Sequence, residues 1–120
     1  MLGVVLALLM YRDDAIAPLL ADALAALSQA TGFREGWVGR SPDQPDRWVL
    51  GSRWDDAGAL RRGLGSFAAK MALGPLQSYS TGEDIVLEIL TRADGEHIET
   101  APSARAVDAD TARPRAGGER

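Results

Sequence analysis

Two indoles and a hydroxyl fall on one alternating set between residues 47 and 54: Trp48, Ser52 and Trp54, with Leu50 among them. In an extended strand, residues two apart share a face. This set therefore places two flat aromatic walls beside one polar group, a surface that suits a flat substrate. Ordinary core packing uses the same residue types. Tyr79 brings a phenol able to donate a proton to an oxyanion, and Phe67 brings a further aromatic ring. The candidate substrate-binding residues are thus Trp54, Trp48, Ser52, Tyr79 and Phe67; no catalytic residue declares itself. Trp37, on the preceding strand-like segment, either joins them or sits in a subunit interface.

Other polar clusters read more plainly. Ser66 and Lys70, four apart on a helix face, either rim a pocket or face solvent. Arg34, Arg40, Arg47 and Arg53 alternate onto one expected hairpin face with Val38 and Val49, where guanidinium groups can pair carboxylates. Asp13, Asp14, Asp55 and Asp56 stand at expected helix starts, where carboxylates satisfy open backbone N–H groups. There is no Ser-His-Asp set and no glycine-rich phosphate loop after a strand. With no cysteine and a single histidine, His97, disulfides, thiolate chemistry and multi-histidine metal sites are excluded, and no metal site is expected.

These residues must be held by a small scaffold. A chain of 120 residues, 46% apolar and 25% charged, suits one globular domain. A net charge of −4 argues against nucleic acid or an anionic membrane as partner. The apolar start, residues 1–10, lacks a basic leader and a cleavage site and is too short to span a bilayer. It reads as a buried strand, and the expected location is the cytoplasm.

Residues 2–11 form a continuous apolar run, as a strand covered on both faces requires. Ile16, Leu19, Leu20, Ala23, Leu24 and Leu27 follow at helical spacing, with Pro18 in the first turn and the end expected near Thr31-Gly32, Gly32 being a left-handed stop. Residues 33–40 and 47–54 read as a hairpin around a turn with two prolines. Phe33, Glu35, Trp37 and Gly39 are expected on one face of its first strand. Leu60, Leu64, Phe67 and Met71 make the stripe of a second helix, with a break expected near Gly63-Leu64-Gly65 and a stop at Gly74-Pro75. Residues 83–91 are the last strand. Beyond, large apolar residues nearly vanish, so the expected division is an ordered domain at 1–92 and a disordered polar tail at 93–120.

The order β-α-β-β-α-β is the ferredoxin-like plait, an α+β fold with a four-stranded antiparallel sheet and two helices on one face. The first strand is apolar on both faces and the last largely so. The uncovered sheet face therefore needs a second cover, and the economical one is another copy of the chain, giving a homodimer.

Residues 2–92 resemble the antibiotic biosynthesis monooxygenase domain family, small dimeric α/β-barrel proteins. The resemblance lies in Thr31-Gly32-Phe33, the Ser-Pro-Asp-Gln-Pro loop, Trp54-Asp55-Asp56 and the second-helix stretch LGSFAAKMALGPL. It implies a pocket between sheet and helices but not one reaction. In the haem-degrading branch a helix His binds iron, a helix Trp ruffles the macrocycle and a strand-one Asn bonds oxygen. Those helix positions here are Leu73 and Gly63, and the chain has no Asn, so haem degradation is not expected. In the polyketide-oxygenase branch an indole lines the pocket, as Trp54 would, while the assisting Asn and Tyr positions are Leu50 and Leu60. The expected function is oxygenation of an aromatic or quinol-type small molecule without any cofactor. The alternative is a non-catalytic small-molecule-binding or accessory dimer. A ferredoxin-like RNA binder would need exposed aromatics amid basic residues, which the acidic balance disfavours.

Overall fold

The computed structural model describes residues 4–102, which fall into two compact units, Val4–Leu87 and a second beginning at Glu88. The first unit runs β1 (Val5–Arg12), α1 (Ala17–Leu27), β2 (Phe33–Arg40), β3 (Arg47–Trp54), α2 (Ala57–Leu64), α3 (Phe67–Leu73), a 3-10 helix (Gly74–Tyr79) and all but the last residue of β4 (Ile85–Glu88). The sheet order is β2-β3-β1-β4, the ferredoxin-like plait expected from the element order.

The register divides the sheet into two unlike faces. Val5, Ala7, Leu9 and Tyr11 of β1 stand opposite Trp54, Ser52, Leu50 and Trp48 of β3. This face packs on Leu20, Ala23 and Leu27 of α1, Leu60 of α2 and Ala69 of α3 to make the core. The other face carries Leu6, Leu8 and Met10, opposite Arg53, Gly51 and Val49. No described helix residue covers these in the core cluster, so the apolar run of β1 leaves one greasy side half-buried.

Local chemistry sets the boundaries. Pro18 lacks an N–H and must lie in the first turn, so α1 starts at Ala17 with Ile16 at its cap and no side-chain cap bond. That corrects the expected capping by Asp13 and Asp14: Asp13 instead accepts the N–H of Ala15 at 2.8 Å, closing a turn before the helix. Asp56 does cap α2, accepting from Ala59 N–H at 2.8 Å. Helix α1 ends at Leu27 with Ser28 as its cap, earlier than the expected stop at Gly32; Gly32 takes φ +89° in the turn before β2, where a Cβ would stand 2.5 Å from that of Ala59. The expected break in the second helix separates α2 from α3, and Ser66 recaps the chain by accepting from Ala69 N–H at 3.1 Å.

Three expectations change. A bulge between Phe33 and Glu35 shifts the β2 register. Phe33 therefore turns to the helices with Trp54, while Glu35, Trp37 and Gly39 take the open face. Arg40 stands opposite Trp48, so it leaves the arginine face, and its guanidinium lies 5.2 Å from the Trp48 ring centroid. Alternation orders residues within a strand but not the pairing across a loop. Third, the stripe of the second helix does not continue into the core, because the break turns α3. Phe67 is 78% and Met71 62% exposed. The α-helix ends at Leu73, the stop expected at Gly74-Pro75, and a 3-10 helix follows.

In the second unit, Thr91–Ala93 (β5) and Ile98–Thr100 (β6) pair antiparallel. This hairpin lies at the start of the segment expected to be a tail, and residues 103–120 fall outside the described residues. Among the described residues no helix is long and apolar enough to cross a membrane.

Candidate functional site

The sequence-predicted residues separate into a closed set and an open set. Trp54 and Ser52 are fully buried, and the Trp54 indole Nε1 donates to Ser52 Oγ at 2.8 Å. Phe33 meets Trp54 edge to face, with centroids 5.3 Å apart at 89°. Gly63 leaves room for the far edge of the same indole. This end of β3 is packed with side chains, and Leu50 and Leu60, at the positions of the absent polar helpers, are buried with it. Phe67 points outward on α3.

Trp48 and Tyr79 stand at the other end. The Trp48 indole Nε1 donates to the Asp13 carbonyl at 2.8 Å, fixing the ring. A cleft of about 360 Å³ is bordered by Trp48, Tyr11, Met10, Val49, Arg47 and Glu83. Met10, Val49 and Arg47 belong to the face turned away from the helices. Gly39 also borders the cleft, and the space above it is empty. Tyr11, Trp48 and Arg40 belong to the helix-side face, so this cleft takes its lining from both faces at one end of the strands.

A second cleft of about 340 Å³ is bordered by Tyr79, Ser78, Arg12, Arg47, Thr81 and Glu83. The two clefts share Arg47, Thr81 and Glu83, so an apolar floor adjoins a polar end. The backbone after the 3-10 helix is tied to β1 here: Thr81 N–H donates to the Met10 carbonyl at 3.0 Å, and Met10 N–H to Asp84 Oδ1 at 2.8 Å. Tyr11, which sequence reasoning passed over as strand filler, borders the first cleft. Burial, and then the Asp84 charge, push its phenol up to about 12. Its place opposite Trp48 is a relation across strands that the sequence does not carry. Among the described residues no cluster of His, Asp or Glu could hold a metal ion.

A solved structure of SnoaB, a cofactor-independent oxygenase from Streptomyces nogalater, superposes with TM-score 0.67 and 21% identity. The match covers 81% of this chain and 100% of that one. The chain shares the ferredoxin-like fold of that protein. A candidate antibiotic biosynthesis monooxygenase from Deinococcus radiodurans superposes with TM-score 0.66 at 20% identity, over 75% of this chain and 96% of that one. A further antibiotic biosynthesis monooxygenase gives TM-score 0.59 at 18% identity, over 78% and 99%. No protein-family model and no curated relative matches the chain.

Proposed function

We propose that this protein belongs to the antibiotic biosynthesis monooxygenase family and oxygenates an aromatic or quinol-type small molecule without a cofactor. The substrate, held as its enolate or phenolate, reduces dioxygen itself. One oxygen atom enters the ring system and the other leaves as water. The protein supplies position, exclusion of water and hydrogen bonds to the anion. The observation that carries this reading is the apolar cleft over Met10 and Val49 with a cationic rim at Arg47, in a fold shared with a cofactor-independent oxygenase.

In this reading Trp48 and Tyr79 border bound substrate, while Trp54 and Ser52 brace the strand from the core. Phe67 lies apart from both clefts. The protein works as a homodimer, because Leu6, Leu8 and Met10 leave a half-buried apolar sheet face that a second copy would cover, shutting water from the Met10 side of the cleft. Turnover of an anthrone or quinol by the purified chain, with mass analysis of the product, tests the proposal. An unchanged substrate would oppose it.

A second reading has its own support. Leu50 and Leu60 fill the positions where polar helpers would assist oxygenation, and the Trp54 end is solid. The same cleft would then bind the same molecules as an accessory dimer without turnover.

A further inference from the structure

Arg12 and Arg47 stand directly opposite each other across β1 and β3. Like charges in that relation destabilise a sheet, and the nearest carboxylates compensate them only at long range. Arg12 lies 4.0 Å from Asp46 and Arg47 3.8 Å from Glu83, longer than a tight guanidinium–carboxylate bond. The Glu83 side chain is 68% exposed, so it can swing into solvent at little cost. Both arginines border the polar cleft, and Arg47 also borders the apolar one.

We infer that Arg12 and Arg47 form a carboxylate-binding end to the cleft, and that the ligand is a flat aromatic acid whose ring system lies over Met10 and Val49. The two clefts are lined by three arginines, Arg12, Arg40 and Arg47, against one carboxylate, Glu83, a positive balance that suits a carboxylate ligand. The ligand's carboxylate takes the place of Glu83 beside Arg47. Glu83 thus competes with the ligand for Arg47. This assignment names the substrate class of the site proposed above and rests on its location there.

Calorimetric titration of the full chain with naphthoate and with its uncharged analogue naphthamide tests it. Naphthoate should bind roughly tenfold or more tighter than naphthamide, the scale of a charged hydrogen bond. Arg47→Met and Arg12→Met should each erase most of that preference, while Glu83→Gln should tighten naphthoate binding several-fold. Arg47→Lys, which keeps the charge but not the fork, should fall between and guards against a variant that misfolds. Equal binding of the two compounds, binding of neither, or a preference untouched by both arginine variants would overturn the inference. Turnover of a neutral quinol with no preference for the acid removes this inference and leaves the oxygenase reading. Selective binding of the acid without oxygen uptake by any quinol does the reverse.

Discussion

Gly63 and Trp54 touch so closely that no methyl group fits between them: a Cβ built on Gly63 would stand 2.3 Å from Trp54 Cη2. The indole cannot retreat, because it is fully buried and its Nε1 is held by Ser52. Gly63→Ala should therefore overpack the core and cost about 1–3 kcal/mol despite alanine's better helix propensity. Urea unfolding measures this. A variant as stable as the parent would show that the α2–Trp54 contact is loose.

Ser52→Ala removes the acceptor of the Trp54 N–H and leaves a buried donor without its bond, at a cost of about 1–3 kcal/mol. Ligand affinity at the Trp48 end should hardly change, since Ser52 borders neither of the two clefts there. Paired unfolding and binding measurements check this. Loss of binding with stability intact would return Ser52 to the substrate site.

The open sheet face predicts an assembly. Leu8, Gly51 and Trp37 form one row across β1, β3 and β2, and the Trp37 indole occupies the space a Gly51 side chain would need. Sedimentation velocity should find a dimer at micromolar concentration. Leu8→Glu should convert it to a monomer, because a carboxylate buried in the middle of that row has no partner. A parent chain that sediments as a monomer contradicts the homodimer.

Tyr11 gives a pH signature. Its phenol sits at about 12 against an ordinary 10.0, so the folded state holds its proton more tightly than the unfolded chain. The associated stability is fully present below pH 10 and is lost as pH rises toward 12. Ultraviolet titration of phenolate should show one late component that Tyr11→Phe abolishes. A Tyr11 that ionises near pH 10 would mean its ring is open to water.

The plait was legible because its signals are local and repeated. The stripe of α1, the alternation of β3, the Asp56 cap and the glycines before α3 each agree with the neighbouring element. What escaped depends on relations across space. The bulge after Phe33 and the pairing of Arg40 with Trp48 follow from register, which spacing within one strand cannot supply. The site was half-legible for the same reason. Alternation put Trp48 and Trp54 on one face, but packing closed one end of that face and left the clefts at the other. The juxtaposition of Arg12 with Arg47 exists only in the folded sheet.

Oxygen consumption by the full chain tests the central claim most directly. With an anthrone or quinol, and no added metal, haem or flavin, the account predicts uptake well above the substrate's own autoxidation. Arg47→Met, at the cationic rim of the cleft, should sharply reduce it. Binding of the same compounds with uptake no faster than in buffer would contradict the oxygenase and leave a binding protein in its place.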